Sequence, residues 1–152
     1  MTYLSRLHEA HHIEVSGEAV YAVAARRARN EDWRVKWHAL EKLEIQTKTR
    51  VATAITLLGD TAKVRRVDVW LGHFVGGLLA VLPSRMQLRA MRAIVVHAIS
   101  FWERLQREHP EGDVHLLAYL VAHERAQFDF AQDELDGRGE RSLRHITDLL
   151  DD

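Results

Sequence analysis

Apolar residues recur every three or four positions through most of this chain, and only two prolines, Pro83 and Pro110, interrupt its 152 residues. That period puts side chains on one face of an α-helix. Helix A is expected from about Tyr3 to Arg29, with Leu4, Leu7, His11, Glu14, Glu18, Tyr21 and Ala25 on one face. Gly17 lies inside it, which costs about 1 kcal/mol relative to alanine and allows a close approach by a neighbouring helix. Asn30 caps helix B, with Glu31 and Asp32 at its positive end. Trp33, Trp37, Leu40, Glu44, Thr47, Val51, Ala54 and Leu58 then form its stripe, up to Gly59. Ser84 with Gln87 reads as a capping box opening helix C, which ends before Pro110. Met91, Ile94, Ala98, Phe101 and Leu105 mark its inner face, and His97 sits at the edge. Gly112 and Asp113 start helix D, whose stripe is Leu117, Leu120, Glu124, Gln127 and Ala131. A short terminal helix is expected over Glu140 to Leu150.

These elements predict an all-α chain forming a single helical domain over residues 1–152, with core helices at about 3–29, 31–59, 84–109 and 113–137. The A–B and C–D connections are tight, so each pair should be an antiparallel hairpin. The long B–C connection, Asp60 to Leu82, carries its own short apolar helix near 67–82. Trp70, Leu71, Phe74, Leu78 and Val81 give that helix a greasy side, while Gly72, Gly76 and Gly77 suit it to close packing. It is expected to pack on the bundle or against a subunit partner; a membrane-surface role is the weaker alternative.

Carboxylates stand where such helices should carry leucines. Glu18, Glu44 and Glu124 each fall on an apolar stripe. A buried carboxylate is costly unless paired, protonated or bound to a metal. In an antiparallel hairpin, residues equidistant from the turn lie at one height. The midpoint of Glu18 and Glu44 is position 31, at the expected A–B turn, and that of His97 and Glu124 falls between Pro110 and Glu111. Both pairs then lie about 13 residues, or roughly 20 Å of helix, from their turns. Docking of the hairpins about an approximate twofold would bring all four side chains together.

This layout resembles the ferritin-like superfamily, whose members hold metal ions between four helices. The resemblance covers roughly residues 3–137 and implies a four-helix bundle with two hairpins and one long crossover. It implies a di-iron or other divalent metal site and an oxidoreductase using dioxygen or peroxide. Glu18 matches the glutamate of the first helix, with Glu14 one turn earlier as a competitor. Glu44 and Glu124 match the glutamates of the two Glu-x-x-His motifs, but Thr47 and Gln127 stand where the histidines belong. His97 takes roughly the place of the remaining glutamate; Glu103, the other possibility, falls on the outer face. The implied ligands are Glu18, Glu44, Glu124 and His97, with Glu14, Tyr21, Gln127 and Thr47 as supporting side chains. His11 and His123 are optional additions, although His123 should point about 100° away from Glu124. The competing expectation is a helical scaffold that has lost its metal and acts through oligomerisation, a protein partner or a ligand held in the old cavity.

Other classes find less support. A formal net charge of −1 gives no electrostatic basis for nucleic-acid binding. The absence of cysteine removes disulfides and thiolate metal sites, and fits a reducing cytoplasm. No apolar run is long enough to span a bilayer, and a homodimer is the expected assembly. His8 and His12, one turn apart near the start of helix A, have chelating spacing but are expected on a solvated face.

Overall fold

The computed structural model describes residues 2–109 and 112–150. It contains six α-helices and, among the described residues, no strand: α1 (Tyr3–Arg26), α2 (Glu31–Leu57), α3 (Arg66–Ala80), α4 (Ser84–Glu108), α5 (Val114–Leu135) and α6 (Gly139–Thr147). Two compact units divide the chain, residues 1–81 and 82–152. No helix among the described residues is long and apolar enough to cross a membrane.

In the first unit, α1 packs against both α2 and α3. Thr2 caps α1 by accepting from the Ser5 amide at 3.2 Å, and Asn30 caps α2 by accepting from the Trp33 amide at 3.0 Å. Gly59, with φ of +83°, ends the chain's excursion past α2 in the left-handed region that glycine enters freely. Tyr21 packs within an aromatic run, stacked 6.0 Å from Trp37, which in turn stacks 5.3 Å from Trp33.

Glycine decides how α3 meets α1. A Cβ on Gly72 would overlap the Ser16 carbonyl and lie 2.7 Å from the Ala19 Cβ, and one on Gly76 would lie 2.9 Å from the Val20 carbonyl. Only Asp68, Gly72 and Gly76 of α3 are buried. The helix therefore meets α1 closely through its small face, with Val69, Val75 and Leu79 half-buried, while Val67, Trp70, Leu71, Phe74 and Leu78 are exposed. Asp68 adds a polar anchor. It accepts two hydrogen bonds from Arg65, at 2.8 and 2.7 Å, and lies 2.9 Å from Nδ1 of His12. The Ser16 hydroxyl donates to its backbone carbonyl.

In the second unit, α5 packs against α4 and α6. The expected capping box at Ser84 does not form: Pro83 is the N-cap, and the Gln87 side chain donates to the Leu82 carbonyl. Asp113 caps α5, accepting from the amides of His115 and Leu116 at 3.0 Å each. The turn expected at Pro110 and Glu111 lies outside the described residues. The inner face of α4 is Leu88, Met91, Val95, Trp102 and Leu105, a stripe rotated from the expected one; Ile94 is exposed and Trp102 is fully buried. Gly137, at φ +75°, turns the chain into α6. Buried Asp133 braces that turn, accepting from Arg138 Nε at 2.8 Å and pairing with His145 Nε2 at 3.0 Å. These hydrogen bonds, His145's first and then Arg138's, hold its carboxyl below the usual range.

Replacing Gly72 with Ala should destabilise the first unit although alanine is the better helix former, because the added methyl meets backbone rather than a movable side chain; calorimetry would show a lowered Tm. Asp68 is held below the ordinary carboxylate range, chiefly by the Arg65 hydrogen bonds and further by His12. Its contribution is therefore complete at neutral pH and lost as pH falls through that lowered value. Asp68→Asn should lower Tm at pH 7, and the gap to the parent should close as pH falls below the usual carboxylate range.

Candidate functional site

The polar residues on the α1 and α2 stripes come together, in a register different from the expected one. Helix α1 ends at Arg26, so the α1–α2 connection is centred earlier than position 31. The residue of α1 level with Glu44 is then Glu14, one turn before Glu18; the midpoint of 14 and 44 is 29, inside the connection. Both glutamates are buried, Glu14 at 1% and Glu44 at 4% exposure, and a carboxylate oxygen of one lies within 4.8 Å of one from the other. Two carboxylates this close in a water-poor site repel unless a cation or a shared proton lies with them.

The backbone is shaped around this pair. A Cβ on Gly17 would overlap the Glu44 carboxylate, falling 2.9 Å from its Cδ. The close approach read from the glycine is thus made by a side chain, and that side chain is the charged one. Thr47, one turn beyond Glu44, is fully buried. Glu18 does not join the pair: it is part-exposed and bonds Lys48 at the rim. Tyr21 belongs to the aromatic run of α1 and α2.

His11, one turn before Glu14, is 3% exposed, and its Nδ1 has no hydrogen-bond partner among the described residues. Its pKa is lowered, first by burial and then by His12, Lys48 and His8, against an opposing pull from Asp68. The ring is neutral at pH 7 and keeps a nitrogen lone pair. His8 and His12 lie outside this site: His8 bonds Asp60 at 3.1 Å and His12 sits on Asp68.

The second unit buries ligand-type residues of its own on α5. Glu124, 5% exposed, accepts from the Trp102 indole at 3.3 Å. His123 is also buried, at 1%, although it was expected to turn away; α5 is covered on more than one side, so adjacent positions are both enclosed. Gln127 lies 2.7 Å from His123 Nε2. Its amide can donate to that nitrogen or, turned over, accept from it, so the ring's tautomer follows what Nδ1 meets. His97 is exposed and bonds the Ala93 carbonyl at 2.8 Å. Two residues past buried Val95, it lies about 200° around the helix, which is why α4 turns it outward. Glu103 is on the outer side, as expected, bonded to Arg125 at 2.8 Å.

The donors in the first unit suit a metal ion. Two buried carboxylates supply hard anionic oxygens of the kind that hold divalent ions, and the buried His11 imidazole lies one turn before Glu14 on the same helix. No Glu-x-x-His motif is completed at Glu44 or Glu124, since Thr47 and Gln127 fill those places. No family model matches this chain, and no curated protein and no solved structure is significantly similar to it.

An alanine in a helix interior is ordinarily favoured over glycine by about 1 kcal/mol. Gly17→Ala should fall short of that gain in Tm, because the new methyl needs the space of the Glu44 carboxylate and must displace it. In a Glu44→Ala background the full gain should return. A double-mutant cycle by thermal or urea unfolding checks this.

Proposed function

We propose that this protein binds a divalent transition-metal ion through Glu14 and Glu44. The supporting observation is the apposition of two buried carboxylates within 4.8 Å across α1 and α2, with Gly17 making room for one of them. A cation between them removes the repulsion that burial amplifies, and the oxygens offer bridging or paired coordination. The ferritin-like resemblance extends this reading to a four-helix bundle with two irons and to oxidation by dioxygen or peroxide. It draws its remaining ligands from the second hairpin, where Glu124 and His123 are the buried candidates. A bound metal would supply Lewis acidity and, if iron, redox capacity; the chain's own part is to fix two oxygens and keep water out.

A second reading, a bundle that has kept its helices and lost its metal, is favoured by one observation. Lys48 bonds Glu18, so an ammonium stands beside the carboxylate that the resemblance makes a ligand. The two readings part on metal content.

Elemental analysis of untagged protein, before and after anaerobic ferrous loading and with manganese and zinc in parallel, is the deciding experiment. Bound metal that weakens at least about tenfold in Glu14→Gln and in Glu44→Gln, with helicity by circular dichroism retained, supports the proposal. Glu18→Gln should leave affinity nearly unchanged. Glu124→Gln tests the ligands assigned by resemblance. A parent protein that takes up none of the three metals overturns the proposal in favour of the metal-free scaffold.

A further inference from the structure

The large side chains of α3 remain in water. Val67, Trp70, Leu71, Phe74, Leu78 and Val81 are between 47% and 75% exposed. With 100° between successive residues, these six lie within one narrow arc, on the side of the helix opposite Gly72 and Gly76. Trp70 and Phe74 stack at 5.5 Å, nearly parallel, so the stripe has a rigid aromatic centre. No charged residue interrupts it. Isolated exposed apolar residues are ordinary, but a contiguous stripe of this kind marks an interaction surface.

We propose that this face pairs with the same face of a second copy of the chain, in an antiparallel helix contact centred on Phe74. Three features support a copy as the occupant. The stripe is symmetric about Phe74: positions 67 and 81 are equidistant from it, as are 70 and 78. A twofold axis through Phe74 therefore sets Val67 against the partner's Val81, Trp70 against the partner's Leu78, and Phe74 against its own equivalent. That is the self-complementarity an isologous contact needs.

Area is the second feature. Six side chains at these exposures leave on the order of 100 Å² each, so pairing can remove at most roughly 1,200 Å² in total, which sits at the small end of specific interfaces.

The third is charge. α3 carries Arg65 and Arg66 at its amino end and no basic residue in its last turn. In the antiparallel register Arg66 falls beside the partner's Leu82, at the negative end of the partner helix, where a cation is favoured. A lipid surface would instead favour basic residues along the flanks of the stripe. Between Arg66 and Arg85 the sequence has no lysine or arginine; His73 and Arg27, which bonds the Gly77 carbonyl, are the basic side chains beside the helix, too few for a basic flank.

The chain contains no cysteine, so single cysteines report the register directly. Sedimentation of the full-length protein should give twice the 17.5 kDa chain mass. Phe74→Asp, which puts two carboxylates on the axis, should give monomers with unchanged helix content. Under mild oxidation Phe74→Cys should cross-link alone. Val67→Cys and Val81→Cys should cross-link only when mixed, since each lies about 20 Å from its own equivalent in the antiparallel pair. A parent that stays monomeric up to high micromolar concentration overturns the proposal, whether or not it then sediments with anionic phospholipid vesicles. So does a dimer that survives Phe74→Asp, or a Val67→Cys variant that cross-links by itself.

Discussion

The first unit depends on how closely α1 can be approached. Gly17 in α1 admits the Glu44 carboxylate of α2, and Gly72 and Gly76 in α3 rest on the backbone between Ser16 and Val20. Protein interiors are packed densely enough that one added methylene is felt. Two absent side chains therefore set the spacing of α3 on α1, and a third gives the Glu44 carboxylate its place against α1, within reach of Glu14.

The buried acids of the chain differ in what stands beside them. Asp68 has Arg65 and His12, and Asp133 has Arg138 and His145. In both cases these hydrogen bonds, from Arg65 first at Asp68 and from His145 and then Arg138 at Asp133, outweigh the cost of desolvation, and the pKa moves down. Each also ties two stretches of chain together, α3 to α1 in one case and α6 to α5 in the other. Glu14 and Glu44, at similar degrees of burial, each have a carboxylate oxygen of the other within 4.8 Å.

The helices were readable from spacing and punctuation, and Asn30, Gly59 and Asp113 marked their ends well. Rotation and height were less readable, for physical reasons. Helix α1 stops at Arg26 because the chain turns over the next few residues to reach Asn30, and a shift of less than one turn exchanges Glu18 for Glu14 as the residue level with Glu44. On α4, Phe101 and Trp102 are adjacent and both apolar, so hydropathy alone leaves two stripes possible, and the choice carries His97 with it. His123 is expected to turn away from Glu124 because a single stripe assumes one buried face, whereas α5 is enclosed on more than one. Gly72 and Gly76 pack closely as their spacing suggests, Gly77 does not, and once the small face goes inward the aromatic face goes outward.

Shape thus outranks solvation in orienting α3, and this has a thermal consequence. Burial of apolar surface proceeds with a negative change in heat capacity, and its driving force weakens on cooling. A helix that docks on its own chain through glycine contacts, an ion-paired aspartate and a few half-buried aliphatic side chains draws only part of its attachment from that source. Its outward stripe draws on almost nothing else. Cooling should therefore leave the fold of the first unit nearly as it is while loosening whatever covers the Trp70–Phe74 stack, so that attachment within the chain and attachment beyond it respond differently to temperature.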